Sequence, residues 1–444
     1  MGKRRPSAGF DHSRLHRINP SSMELIRETA WASGALGIFP FPVCFALYVV
    51  VFWEGKFMAS SPGIHALSHS PESRGFAKRK IDAWLESAGV SANGNQPWDP
   101  QVIDDRFYNR VLLKGSLGLG ESYMEGWWEC EALDEFFCRV LTAGLLDRTS
   151  LNFATLLNGI TARLFNLQTA KRAWKVGETH YDVGNDLYKR MLDSRLVYTC
   201  AYWQNATTLD EAQEAKLDLV CRKIGLQNSD HILDIGCGWG SFAKFAASRY
   251  GAFVDGVTIS REQVELGNIL CREYPVNLKL MDYRNVDTVY DHIVSLGMFE
   301  HVGNKNYRTF FQKASQCLKD DGLFLLHTIG SGTTSNIVEP WIMKHIFPNG
   351  MIPSMAQIGK GIEGLFVIED VHNFGADYDR TLMQWFENFD STWSEIKKNY
   401  PDNFYRKWKY YLLSSAGAFR SRHLHLWQIV LSKRGVRNGY ARPR

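Results

Sequence analysis

The stretch HILDIGCGWG at positions 231–240 constrains this chain more than any other. His231, Ile232 and Leu233 read as a short apolar strand ending at Asp234. Gly236, Gly238 and Gly240 then turn the chain into an amphipathic helix over residues 242–249. Glycine suits such a turn because backbone without side chains approaches a ligand closely and adopts φ values that other residues avoid. The helix N-terminus adds unpaired N–H groups beside the same ligand. The pattern Asp-x-Gly-x-Gly-x-Gly, a carboxylate followed by a glycine-rich turn, fits a nucleoside that carries an amino acid. Its spacing departs from the G-x-G-x-x-G turn of pyrophosphate cofactors, and no basic residue lies in it. The preferred ligand is therefore S-adenosylmethionine, which has no phosphate to neutralise.

With 444 residues, 45% hydrophobic and 22% charged, the chain is globular and long enough for two domains. A net charge of +4 is too small to argue for nucleic acid. Basic residues gather at the end instead, where Lys433, Arg434, Arg437, Arg442 and Arg444 run without an acid. Such a tail is ordinarily solvated, and it would also favour an anionic membrane surface. Eight cysteines without C-x-x-C pairs suggest neither a zinc site nor a disulfide framework, and fit reduced thiols in the cytoplasm.

Residues 1–58 differ from the rest, because residues 34–53 carry no charge and are numerous enough to span a bilayer. A transmembrane anchor would be kinked by Pro40 and Pro42, and a signal peptide lacks a clear cleavage site. The reading preferred here is an extension before a native start at Met58. Residues 59–168 read as a smaller, mostly helical domain, with helices over 81–88, 107–113 and 133–146 and a turn over 115–120. Trp127 and Trp128 belong to its packing or to a surface that accepts lipid chains. Residues 169–175 form a basic linker. From residue 176 to 444, strands and helices alternate as in an open parallel sheet covered on both faces, a Rossmann-like α/β domain. Its strands fall at 231–234, 253–259, 277–280, 292–296, 323–329, 365–370 and 426–432.

In such sheets, ligands sit at the carboxyl ends of the strands. Thr258 and Gln263 follow the second of these strands and suit ribose hydroxyls, whereas Asp255 lies too early and points elsewhere. Asp282, after the third, suits the adenine amino group. Each alone is an ordinary cap or solvated residue, but their order along successive strand ends marks a site. Glu300 and His301 follow the fourth strand, His327 lies in the fifth, and HYDVGND and YTCAYW precede the sheet. A lone histidine or cysteine is more often packing, but several converging on one edge point to a site.

The segments HYDVGNDLY, YTCAYW, LDIGCGWGSFA, SLGMFEHVGNKNY, LLHTIGS, WIMKHIFPNG, HNFGADYDRTL and AGAFRSR, with GSLGLGESYMEGWWEC upstream, together resemble the cyclopropane-fatty-acyl-phospholipid synthases. The resemblance runs from about residue 81 to the end. It implies a class I S-adenosylmethionine-dependent methyltransferase fold with the cofactor on Gly236, Gly238, Gly240, Tyr198 and Thr199, the last commonly serine in that family. It also implies a bicarbonate ion held by Cys200, Glu300, His327, Ile329 through its backbone, and Tyr378. Tyr181 matches an aromatic residue of the reaction chamber. The substrates implied are unsaturated membrane phospholipids. A homodimer, and a cytoplasmic location against the inner face of the membrane, are implied as well.

Overall fold

The computed structural model describes residues 71–145, 184–335 and 338–444. The extension 1–58 with its charge-free run, the linker 169–175 and Tyr181 lie outside the described residues. Among the described residues, no helix is long and apolar enough to cross a membrane.

Helix α1 (Pro71–Ser87), strand β1 (Gln101–Val102), α2 (Arg106–Met124), β2 (Trp128–Glu129) and α3 (Leu133–Thr142) come first. The turn expected over 115–120 is only a kink. Gly115 takes φ 58° and ψ −135°, and the helix then resumes to Met124. Tertiary packing overrides the low helix propensity of the glycines here. Gly120 faces Trp341, and a Cβ at Gly120 would come within 2.3 Å of that buried ring. We expect Gly120→Ala to destabilise the protein by about 1–3 kcal/mol in urea unfolding, and an unchanged midpoint would contradict this close packing. Trp128 is core, with its ring among Phe107, Tyr123 and Phe136. Trp127 is half-buried, with the Arg110 guanidinium 3.7 Å and that of Arg106 4.4 Å from its ring. The packing reading therefore holds for Trp128.

Helices α4 (Asn185–Met191) and α5 (Leu209–Lys223) lead into β3 (His231–Ile235), α6 (Ser241–Tyr250), β4 (Phe253–Thr258), α7 (Arg261–Cys271), β5 (Val276–Leu280) and β6 (Tyr290–Leu296). Then follow α8 (Tyr307–Cys317), β7 (Leu318–Ser331), α9 (Pro340–His345), α10 (Met355–Ile362), β8 (Val367–Asn373), α11 (Ala376–Ile396), α12 (Phe404–Arg420) and β9 (Leu424–Ser432). The sheet order is β5-β4-β3-β6-β7-β9-β8. Strands β3 to β7 pair in parallel, but β9 runs antiparallel to both β7 and β8. The sheet is therefore mixed, not purely parallel. Apolar strand patterns carry burial but not direction, and the last strand enters between its two predecessors.

The LFLLH run explains burial on both faces. Phe324 and Leu326 join one core with Ile293 and Ile429, while Leu325 joins the other with Val294 and Val430. Each such side chain contributes roughly 1.5–3 kcal/mol by leaving water. Strand order reverses between β3 and β6, which opens a crevice at their carboxyl ends. The helices of residues 71–145 and this sheet belong to one compact unit, Ser70–Arg444. The basic tail folds back in part: Lys433 and Arg434 pair with Asp320, and Arg444 grips Asp370 with two hydrogen bonds of 2.6 and 2.8 Å.

Candidate active site

A cavity of ≈ 200 Å³ opens at the strand ends where the glycine loop leaves β3. Asp234, Gly236 and Gly238 line it, together with Tyr198, Thr199, Thr258, Gln263 and Asp282. Gly236 has φ +84°, and a Cβ there would meet the Met298 side chain at 2.5 Å. Gly238 has φ +55° with nothing within 4 Å of its missing Cβ, so the loop backbone is bare toward the cavity. Gly240 is placed differently. It caps α6, and a Cβ there would strike Leu278 and Cys271. Close packing behind the loop, rather than ligand approach, requires glycine at this position.

Thr258 Oγ1 donates to Gln263 Oε1 at 2.8 Å, so the two expected ribose residues are neighbours. Asp282 is buried and held by Arg284 at 2.6 and 2.8 Å. Burial raises its pKa, but the Arg284 hydrogen bonds overcome this and leave the carboxyl below its ordinary value. Asp255 is tied to Lys279, Asn277 and Tyr290, away from the cavity, as its early position in the strand implied.

Residues 197–199 are held by α5. Gln213 Nε2 donates to Thr199 O at 2.9 Å, and Lys216 Nζ donates to Thr199 Oγ1 at 2.8 Å. The threonine methyl packs toward Gly297, whose Cβ would come within 2.6 Å of it. Lys216 also lines the cavity and is absent from the sequence reading. Its signal was available: it falls on the buried stripe of α5, beside Leu217 and between Leu209 and Val220. His301, noted beside Glu300 in the sequence, lines the cavity too, whereas Arg284 and Met298 are lining residues that the motifs did not single out.

A second set of buried polar groups lies on β7 and in the turn after β6. Glu300 Oε1 accepts the Ile329 N–H at 2.7 Å, so that N–H is committed to the carboxylate. Any backbone contact from Ile329 to a further group is left to its carbonyl, which accepts Thr328 Oγ1 at 3.0 Å. The other oxygen, Glu300 Oε2, and His327 Nε2 are both buried without a partner among the described residues. Gln428, opposite His327 in the β7–β9 register, meets His327 Nδ1 at 3.3 Å. Burial pushes the Glu300 carboxyl up to about 7 and the His327 ring well below its ordinary value, so the imidazole is neutral.

Tyr378, on the first turn of α11, stacks on Phe419 with ring centroids 4.4 Å apart. Burial first, then Tyr411, Cys200 and Glu300, push its hydroxyl upward. Cys200 is fully buried, its thiol donates to Ala201 O at 3.2 Å, and burial keeps it protonated. Thr381 and Asp377 of α11 anchor this segment through Ala201 N at 3.2 Å and Trp203 N at 2.7 Å. A buried, unpaired carboxylate oxygen and a buried, unpaired ring nitrogen suit an oxyanion that both donates and accepts a hydrogen bond. Bicarbonate has that donor set, and the residues present fit it.

Residues 168–429 match the family model for mycolic acid cyclopropane synthetase. The chain is 54% identical over 355 residues to the cyclopropane-fatty-acyl-phospholipid synthase of Escherichia coli K12, covering 80% of this chain and 93% of that one. It is 30% identical over 377 residues to the tuberculostearic acid methyltransferase UfaA1 of Mycobacterium tuberculosis, covering 79% and 87%. Among solved structures, it resembles mycolic acid cyclopropane synthase CmaA1 complexed with SAH and CTAB. That match has a TM-score of 0.56 and 30% identity, and covers 59% of this chain and 98% of the other. The glycine loop at the sheet's crevice and the extent of these matches agree: the chain belongs to the mycolic acid cyclopropane synthetase family of S-adenosylmethionine-dependent methyltransferases.

Proposed function

We propose that the protein is a cyclopropane-fatty-acyl-phospholipid synthase. It moves the methyl group of S-adenosylmethionine to the cis double bond of an acyl chain in an intact phospholipid and closes a three-membered ring. The carbon–sulfur bond breaks as the alkene π pair forms a carbon–carbon bond, and a carbocation results. A proton leaves the transferred methyl group, and the freed pair closes the ring. An alkene is a weak nucleophile, so alignment must supply much of the acceleration.

The observation that carries this reading is the pair of orphaned buried atoms, Glu300 Oε2 and His327 Nε2, with Tyr378 and Cys200, also buried, joined to them by the family pattern. The carbocation must shed a proton, and ring closure takes it from the transferred methyl group, which requires a base beside that carbon. Bicarbonate, when bound, supplies that base. Glu300, His327, Cys200 and Tyr378 hold and orient it, with Ile329 fixing the Glu300 carboxylate. The faces of the buried Tyr378 and the half-buried Tyr198, each packed against aromatic rings, attract the developing cation and exclude water that would trap it as an alcohol. Tyr181 is assigned to the same chamber on the family pattern.

Tyr198, Thr199, Asp234, Gly236, Gly238, Thr258, Gln263 and Asp282 are assigned to the cofactor, with Gly240 supporting the loop from behind. Peripheral attachment to an anionic cytoplasmic membrane face and a homodimeric state complete the proposal. Arg437 and Arg442 of the tail are the basic residues there without an acid partner among the described residues, and they support the first of these. A second reading, methyl transfer without ring closure, is favoured by the likeness to UfaA1, named for tuberculostearic acid. Incubation with unsaturated phospholipid vesicles in carbonate-free buffer, and again with bicarbonate restored, separates the two. Ring-proton NMR signals that appear only with bicarbonate support the synthase, and a methyl branch in both buffers overturns it.

A further inference from the structure

Lys216 is an anomaly that the reaction as described does not use. It is fully buried and lines the cofactor cavity. Its ammonium donates to Thr199 Oγ1 at 2.8 Å, which occupies one of its three protons. Among the described residues it makes no ion pair, although long buried cations are almost always paired. Asp234 also lines the cavity, is nearly as buried, and makes no side-chain hydrogen bond or ion pair among the described residues. Burial presses Lys216 down to about 8, opposed first by Asp193 and then by Cys200 and Asp234, and presses Asp234 up to about 7, opposed by Lys216. Two opposite charges therefore share one dry cavity beside a bare glycine loop without closing on each other.

A ligand that itself carries both charges resolves this. The sulfonium of S-adenosylmethionine is a cation and would be repelled by a buried ammonium. A lysine that lines such a cavity meets the ligand favourably only at the ligand's one anionic group. We propose that Lys216 is the receptor for the methionyl carboxylate of S-adenosylmethionine, with the Thr199 hydroxyl fixing the direction of its ammonium. This deepens the reading that the cavity holds S-adenosylmethionine and rests on it. The arrangement also explains why α5 presents Gln213 and Lys216, one turn apart, to residues 197–199. The first pins the backbone, and the second passes alongside Thr199 into the cavity.

The test is equilibrium binding by titration calorimetry, with the full chain and three ligands. These are S-adenosylhomocysteine, its decarboxylated analogue, and methylthioadenosine, which lacks the whole amino-acid end. Lys216→Met should weaken S-adenosylhomocysteine by about 10- to 100-fold, the range of a hydrogen bond between charged partners, and leave the other two unchanged. Wild-type protein should lose a similar factor when the carboxylate is removed from the ligand. Lys216→Gln, which keeps a donor for Thr199, should discriminate in the same way if the methionine variant fails to fold. Equal weakening of all three ligands would make Lys216 structural and overturn the assignment. If S-adenosylhomocysteine binding is unchanged while bicarbonate dependence is altered, the ammonium serves the bicarbonate instead. Failure of wild-type protein to bind any of the three would reject the cavity's cofactor role itself.

Discussion

Glu300→Gln should lower cyclopropane formation by at least about a hundredfold while S-adenosylhomocysteine binds as in the wild type. Glutamine keeps the shape and still accepts the Ile329 N–H, now at 2.7 Å from Glu300 Oε1. What it loses is the second carboxylate oxygen, buried without a partner and aimed at the proposed anion. Stability supplies an independent readout. Burial holds the Glu300 carboxyl at about 7 in the folded chain, above its ordinary 4.5. Between those values the folded state binds more protons than the unfolded one, so this group's contribution to stability falls as pH rises through that window. Glu300→Gln removes that slope, so the variant should gain on the wild type as pH rises from about 4.5 to 7 and keep a constant advantage above it. Joint loss of cofactor binding and ring formation, with the pH slope intact, would make Glu300 a structural residue.

Gly236→Ala should have the second-largest effect, on the cofactor side. At φ +84° an L-residue pays about 1–2 kcal/mol in backbone strain. The new methyl also lies 2.5 Å from Met298 Cβ, and Met298 itself lines the cavity. The methionine must therefore shift toward the space the ligand needs. We expect affinity for S-adenosylhomocysteine to fall about tenfold or more. Adding Met298→Ala should recover part of the loss by relieving the overlap but not the strain. If the single variant binds normally, or the second substitution recovers nothing, the close approach of loop and methionine is not what shapes the cavity.

The glycine loop and strand ends were legible because their signals are local. Alternation of apolar residues located β3 to β7, and the order of Asp234, Thr258 and Asp282 along successive strand ends anticipated one shared cavity. What escaped depends on contacts distant in sequence. The antiparallel course of β9 is set by where α12 returns the chain, which no strand pattern records. Gly240 shares a motif with Gly236 and Gly238, yet its neighbours are Leu278 and Cys271, so one motif holds glycines required for different reasons. The Ile329 N–H meets Glu300 across 29 positions of sequence. Lys216 was readable in principle, as a charge on a buried helical stripe, but only the folded α5 gives it Thr199 as a neighbour.

Everything proposed for Glu300 and His327 turns on whether a proton is taken from the carbon that has just been transferred. Supplying S-adenosylmethionine with a fully deuterated methyl group to unsaturated phospholipid vesicles, followed by mass analysis of the released acyl chains, asks this directly. A ring carbon that keeps two of its three deuterons is the result expected. Acyl chains that retain all three, as a methyl branch would, contradict the account.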